Sequence, residues 1–183
     1  MKSLKGQLLI ATAALTDPNF NQTVLLMVEH GEGGAMGLIL NRKTDAVLAD
    51  ALEALDDPSI NLEVPLCVGG PCQGPLMVLH TDAGASDAHV IGDVHFSTER
   101  EHVESLLRNG HEPAMYFVGY AGWAPGQLEA ELKQNAWLTM SAKGVNIFDM
   151  DQESWAQLAE RLSNPTRPAG LERAILPDDP SVN

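Results

Sequence analysis

The chain has 183 residues, 44% of them hydrophobic and 20% charged, so it is long enough to bury the core of one globular domain. Its 25 acidic and 11 basic residues give a formal charge of -14. Because such a surface repels phosphate and the sequence contains no basic run, direct binding to nucleic acid is not expected. No apolar stretch approaches the roughly 20 residues that cross a bilayer, and we expect a cytoplasmic protein without a membrane segment.

The first part of the chain predicts a strand at residues 7–12, followed by an antiparallel hairpin. The almost wholly apolar run from Thr23 to Val28 is typical of a strand covered on both faces. A glycine-rich loop follows His30, and residues 35–40 form the returning strand. The loop lacks GxGxxG spacing and no helix follows it, so we expect no nucleotide and no cofactor there.

Two helices are predicted from capping signals. Thr44 or Asp45 is expected to cap the first. Its apolar positions repeat at i, i+3, i+4 and i+7: Leu48, Ala51, Leu52 and Leu55. Thr98 and Glu101 match a capping box for the second helix, which Gly110 ends.

Between these helices the sequence predicts short strands and tight turns. Strands are expected at 62–68 and 76–79, separated by a sharp Gly-Gly-Pro turn, with a brief strand at 89–91. Cys67 and Cys72 flank that turn. Their spacing matches neither a redox pair nor a zinc site, and whether they form a disulfide stays open.

The stretch from Met115 to Trp137 changes character several times. We predict a strand at 115–120, a glycine and proline turn at 121–126, a helix at 127–134 and a strand at 137–140. A last amphipathic helix is predicted at 152–162. We therefore expect one domain over residues 1–163, followed by a proline-rich extended tail at 164–183.

The predicted strands and helices are interspersed, but several neighbouring strands are joined by loops too short for a helical crossover. This pattern predicts a mixed α/β fold. We expect a mixed, partly antiparallel and barrel-like sheet with helices packed outside it.

Four sequence blocks resemble the YqgE/AlgH family of bacterial proteins. They are LLIA with DPNF and TVLLMVEH, GAMGLILNR, VGGPCQGPLMVLH, and GYAGWAPGQLEAEL followed by AW. The family is an uncharacterised one, and some members are labelled transcriptional regulators. The resemblance implies an α/β fold on a mixed barrel-like sheet and supplies no catalytic residues.

Polar and aromatic residues within these blocks are the candidate ligand-binding residues, and most lie at predicted strand ends. The set is Glu29, His30, Asn41, His80, Tyr120, Trp123 and Gln127. Each histidine is explained equally well as a structural group bonded to a loop carbonyl. No metal-ligand spacing is present, so no metal is expected.

These observations leave three functional hypotheses. The first is a non-enzymatic binding or interaction protein with an unknown protein or small-molecule partner. The second is a transcriptional regulator that acts through a protein partner, since helix-turn-helix spacing and basic patches are missing. The third is a small-molecule hydrolase in which His30 and His80, with Glu29, act as acid and base.

Overall fold

The computed structural model describes residues 2–51, 60 and 63–163. In these ranges the strands are β1 Gln7–Ala11, β2 Val24–Gly31, β3 Gly34–Ile39, β4 Lys43–Val47, β5 Pro65–Val68, β6 Met77–His80, β7 Ala88–Ile91, β8 Val94–Ser97, β9 Ala114–Val118, β10 Ala121–Trp123 and β11 Trp137–Ser141. The α-helices are α1 Leu48–Ala51, α2 Arg100–Asn109, α3 Gln127–Lys133 and α4 Gln152–Ser163.

The strands form two sheets. The first sheet has the order β10-β3-β2-β1-β11, and all of its neighbours are antiparallel. The second has the order β4-β5-β9-β6-β8-β7, in which β5 and β9 are parallel and the other pairs antiparallel. The predicted mixed α/β class is confirmed, with strands divided between two sheets that do not close into a barrel among the described residues.

The two sheets pack face to face, with a helix on each outer face. Alternate residues of β1 and β2 point to opposite sides of the first sheet. Leu8 and Leu26 contribute to the core between the sheets, whereas Leu9 and Leu25 pack with Leu128 of α3 on the outer face. The outer face of the second sheet is covered by α2. The continuous apolar run of β2 is therefore explained by burial on both faces.

The predicted hairpin and the helices at 127–134 and 152–162 are confirmed, but the first capping prediction is wrong. Thr44 and Asp45 lie within β4, which pairs with β5. The Thr44 hydroxyl donates to the carbonyl of Leu66 at 2.9 Å. The helix begins only at Leu48, and the predicted positions 52 and 55 lie outside the described residues.

The predicted capping box of α2 is also wrong. The N-cap residue is Glu99, and no side chain of the helix itself makes the capping bond. Instead, one oxygen of Asp87 accepts the backbone N–H groups of Thr98 at 2.6 Å and Glu99 at 2.7 Å. Gly110 ends the helix in the left-handed conformation at φ 57°, as predicted.

Two further differences concern strands. Ala121 to Trp123, predicted as part of a turn, form β10 against β3. The strand β8 at 94–97 was not predicted, and it pairs with β6 and β7.

The predicted tail at 164–183 lies outside the described residues. Within the described part of the chain, no helix has the length and apolarity needed to span a bilayer.

Candidate functional site

His30 lies near the end of β2 and is held from two sides. The register of the hairpin shifts between Met27 and Glu29, and such a bulge re-aims the side chains that follow it. The His30 side chain is 2% exposed, whereas Glu29 is exposed. Nδ1 of His30 accepts the backbone N–H of Leu4 at 3.0 Å, so Nε2 donates to the carboxylate of Glu129 at 2.8 Å. Both ring nitrogens are therefore used within the fold.

Glu131 of α3 accepts hydrogen bonds from two tryptophans. The indole N–H groups of Trp123 and Trp137 both donate to its Oε2, at 2.9 and 2.8 Å. The side-chain amide of Gln127 donates to the other oxygen at 3.1 Å, and its own oxygen accepts the backbone N–H of Ala124 at 3.1 Å. The predicted residues Trp123 and Gln127 thus belong to one network that fixes α3 to the first sheet.

Phe20 completes the aromatic packing on this face. Its ring stacks on Trp123 with centroids 6.1 Å apart and meets Trp137 edge-on at 5.7 Å. The two indoles are themselves arranged edge to face at 6.2 Å. Such geometries add to the free energy gained by burying the rings. The rings therefore act with Glu131 as a structural unit.

Glu131→Leu is expected to lower the free energy of unfolding by about 2 kcal/mol, because it leaves two nearly buried indole N–H groups without an acceptor. Glu131→Gln retains an oxygen for the indoles and should cost less than half as much. Urea unfolding followed by far-UV circular dichroism measures both values. Equal losses in the two variants would contradict the role assigned to the shared oxygen.

A cleft of about 550 Å³ lies beside this network, at the tip of the β2–β3 hairpin. His30 and Trp123 contribute to its walls, while Glu29 and Lys5 stand exposed at it. The remaining lining is the glycine-rich turn with two apolar neighbours: Gly31, Gly33, Gly34, Ala35 and Met36. Three of the seven predicted residues therefore line one cleft, and Gln127 is bonded to the network behind it.

Asn41 lies away from that cleft and has its own structural bonds. Its side-chain oxygen accepts the backbone N–H of Val24, and its amide donates to the carbonyl of Gln22, both at 2.9 Å. It lines a second cleft, of about 530 Å³, together with Arg42. The Arg42 guanidinium donates to two backbone carbonyls in the turn that precedes β2, at 3.1 and 3.3 Å. Burial lowers the pKa of Arg42, an effect that Asp17 opposes.

His80 is in the second sheet and is completely buried. Its Nδ1 accepts the backbone N–H of Asp82 at 3.2 Å, so Nε2 donates to the hydroxyl of Ser97 at 2.9 Å. Burial lowers the pKa of His80 to about 4, and the nearby rings of His95 and His111 lower it further, against the opposing effect of Asp82 and Asp87. His80 shares no hydrogen-bond partner with His30, which lies in the other sheet.

Tyr120 contributes packing and backbone bonds. Its backbone N–H and C=O pair with those of Cys72 at 3.0 and 2.9 Å. Its ring lies where a Cβ atom on Gly74 or Gly122 would meet it at 3.1 to 3.2 Å. Both cysteines are free thiols, and burial raises the pKa of Cys67 to about 11. That thiol is therefore poorly suited to act as a nucleophile.

Sequence reasoning missed two features of the site. Glu129 and Glu131 hold His30 and the tryptophans, although the only sequence signal was that neither acid belongs to the apolar stripe of this helix. The histidines of the second sheet also cluster. His95 lies opposite His80 and His89 on neighbouring strands, with ring centroids 6.0 and 5.4 Å apart. Among the described residues, no group of three or more metal-ligating side chains is arranged to hold a metal ion.

The AlgH-like family model matches residues 8–167. The chain belongs to the AlgH-like family. Its relatives include the UPF0301 protein AlgH of Pseudomonas aeruginosa, 38% identical over 94% of this chain and 92% of that protein. A UPF0301 protein of Nitrosospira multiformis is 38% identical over 96% of this chain and 95% of that one. The resemblance found in the four sequence blocks is thereby confirmed.

Two solved structures resemble the fold of this chain. The solution structure of AlgH from Pseudomonas aeruginosa superposes with a TM-score of 0.72 at 37% identity, covering 92% of this chain and 96% of that one. A crystal structure of a Corynebacterium diphtheriae protein gives a TM-score of 0.69 at 22% identity, over 88% and 87% of the two chains. The second likeness concerns the fold alone. The AlgH-like family is uncharacterised, so family membership does not supply a ligand.

Proposed function

We propose that this AlgH-like protein is a non-enzymatic, cytoplasmic binding protein whose ligand occupies the cleft at the β2–β3 hairpin. The observation that carries the proposal is the division of roles among the residues there. His30 and Trp123 are committed to bonds within the fold, while Glu29 and Lys5 are exposed and make no side-chain hydrogen bond within the described residues. Ionic groups at a preformed cleft of about 550 Å³ suit the binding of a small molecule.

The same contacts argue against acid–base catalysis. A general base needs a free lone pair within reach of the reacting group, and both nitrogens of His30 and of His80 already have partners. The hydrolase hypothesis also needs the two histidines to act together, although they lie in different sheets. Hydrolysis, and regulation through a protein partner, stay predictions.

The charges at the cleft indicate the class of ligand. A carboxylate at Glu29 and an ammonium group at Lys5 complement a molecule that carries both signs of charge. The three glycines of the turn that line the cleft, Gly31, Gly33 and Gly34, have no side chains to obstruct backbone hydrogen bonds. A free amino acid or a short peptide meets these requirements, and the volume is ample for either.

Gly33→Trp is expected to abolish ligand binding while leaving the fold intact. Gly33 lines the cleft, and a Cβ atom on it would meet no heavy atom within 4 Å, so a large side chain fits at this rim without moving the backbone. The probes are free amino acids and dipeptides, measured by calorimetry and by the shift of the melting temperature. At least one probe should stabilise the wild type and not the variant.

Ala14→Trp is the matched control, because it adds the same side chain at an exposed turn that does not line the cleft. The control should bind as the wild type does. Equal binding by Gly33→Trp, or the absence of any bound probe, would overturn the proposed ligand class. Turnover of a bound probe would overturn the non-enzymatic role.

A further inference from the structure

The edge strand β11 presents a regular row of backbone groups that pair with nothing in the described part of the chain. Its register against β1 pairs Gln7 with Ser141 and Ala11 with Trp137. Just beyond the two ends, the N–H of Thr12 donates to the carbonyl of Ala136, and the N–H of Ala142 donates to the carbonyl of Gly6.

These end bonds fix the direction of every backbone group in the strand. Directly opposed residues of an antiparallel ladder alternate between hydrogen-bonded and non-hydrogen-bonded pairs. The even-numbered residues of β11 therefore bond to β1, and the odd-numbered ones point away from it. The same alternation explains why Ala11 of β1 bonds to Thr23 on its other side. The outward groups belong to Trp137, Thr139 and Ser141.

The other sheet edges are less suitable for pairing. β10 has only three residues, and β4 and β7 each contain a register irregularity. Short strands, irregular registers and charges are common devices that protect an edge. By contrast, β11 pairs with β1 without a break, and its sequence WLTMS contains no charge and no proline. It is thus the edge best able to accept another strand.

From this geometry we propose that two copies of the chain associate through β11, with Thr139 on the two-fold axis. The occupant follows from the register, because an antiparallel pairing centred on Thr139 places Trp137 opposite Ser141 of the other copy. Every outward residue then meets an outward residue, which gives about six backbone hydrogen bonds. The arrangement is self-complementary, as a two-fold interface requires.

Side chains and charge are consistent with this partner. Leu138 and Met140, both half-buried, would face each other in the non-hydrogen-bonded pairs, where side chains approach most closely. β11 contains no ionisable side chain, so the pairing brings no like charges of the two strands together. The charge of -14 on each chain opposes association over longer distances, so added salt should strengthen the dimer.

Analytical ultracentrifugation of the full chain tests the proposal across a range of concentrations and at low and high salt. Thr139→Pro removes the central outward N–H, and proline is tolerated where an edge strand donates no ladder bond. Thr139→Lys places two like charges opposite each other on the axis. Both variants should weaken the dimer at least tenfold while keeping the wild-type circular dichroism spectrum.

Two controls separate the interface from general effects. Met140→Pro removes an N–H that bonds to β1 and should unfold or strongly destabilise the chain. Gln73→Lys adds the same charge at an exposed loop position and should leave the dimer unchanged. Hydrogen exchange should show that protection of the Thr139 amide rises with protein concentration.

A chain that stays monomeric at about 1 mM and high salt would overturn the proposal. So would a dimer that both Thr139 variants leave intact, because its interface must then lie elsewhere. Concentration-independent protection of the Thr139 amide would show instead that another segment of the same chain covers the edge.

Discussion

Gly69→Ala should destabilise the protein by about 3 kcal/mol or more, the upper range for overpacking a well-packed site. An added Cβ atom would lie 2.3 Å from the carbonyl oxygen of Gly119 and 2.8 Å from Cδ2 of Leu38. The nearer contact is with backbone, which cannot rotate away. One side of the clash must therefore move.

The backbone around Gly69 has little freedom to move because it ties the two sheets together. Its N–H donates to the carbonyl of Val118 in β9 at 3.0 Å, and its carbonyl accepts the N–H of Ile39 in β3 at 2.9 Å. A shift that relieves the clash would lengthen one of these bonds. The expected loss is therefore larger than for a glycine in an isolated turn.

Gly33→Ala is the control for Gly69→Ala, since a Cβ atom there meets nothing within 4 Å and the backbone is not left-handed. It should change the free energy of unfolding by less than about 0.5 kcal/mol. Urea denaturation of the two variants and the wild type gives the comparison. A Gly69→Ala variant as stable as the control would mean that the sheets can separate locally without cost.

Local sequence patterns predicted those helices and strands whose formation depends mainly on their own segment. The β2–β3 hairpin and α4 follow from an apolar run and from helical periodicity, signals contained within each segment. The strand β10 was missed because its sequence is that of a glycine-rich turn. What makes Ala121–Trp123 a strand is its pairing with β3, and the sequence does not display that distant partner.

The two wrong caps have the same physical origin. Thr44 has the side chain of a good N-cap, but pairing of β4 with β5 competes for the same residues and is preferred. At α2 the two residues just before the helix, Thr98 and Glu99, are held by Asp87, 11 residues before Thr98 in the sequence. Burial raises the pKa of Asp87, but bonds from the Thr98 and Glu99 amides and from His102 outweigh it and lower the pKa overall. A hydrogen bond from another segment leaves no local pattern to recognise.

The sheet topology explains why only some of the predicted candidate residues lie together. Glu29, His30 and Trp123 line one cleft because the hairpin and β10 are neighbours in the first sheet. His80 is also at a strand end, but in the other sheet, and position at a strand end does not reveal which sheet a strand joins. Position at a strand end therefore grouped His80 with His30 in the prediction, although the two residues lie in different sheets.

The stability of the protein should fall by about 3 kcal/mol as the pH is lowered from 6.5 to about 4, because of His80. The pKa of this imidazole is lowered in the folded state from 6.5 to about 4, chiefly by burial. Between these values the unfolded chain binds a proton that the folded chain does not. The contribution of neutral His80 to the free energy of unfolding is therefore complete above pH 6.5. It is lost on acidification, at about 1.4 kcal/mol for each pKa unit between the folded and unfolded values.

The contacts of His80 explain why protonation is resisted. A proton added at Nδ1 would displace the hydrogen bond from the backbone N–H of Asp82, and Nε2 is already donating to Ser97. The Ser97 hydroxyl in turn donates to the carbonyl of Ala85 at 2.6 Å. The charged ring would thus have an unmet donor in a site without access to water.

Urea unfolding at several pH values between 7 and 4 separates this effect from others by comparing slopes. His80→Gln lowers stability at pH 7, but it should lose about 3 kcal/mol less than the wild type over the interval, because glutamine does not titrate. His89→Gln, at an exposed position of β7, should keep the wild-type slope. The ionised carboxyl of Asp87, whose pKa is lowered from 3.8, also stabilises the folded state. That stabilisation is lost only at more acidic pH. If His80→Gln and the wild type lose the same stability between pH 6.5 and 4, the acid sensitivity originates elsewhere and the buried ring accepts its proton without strain.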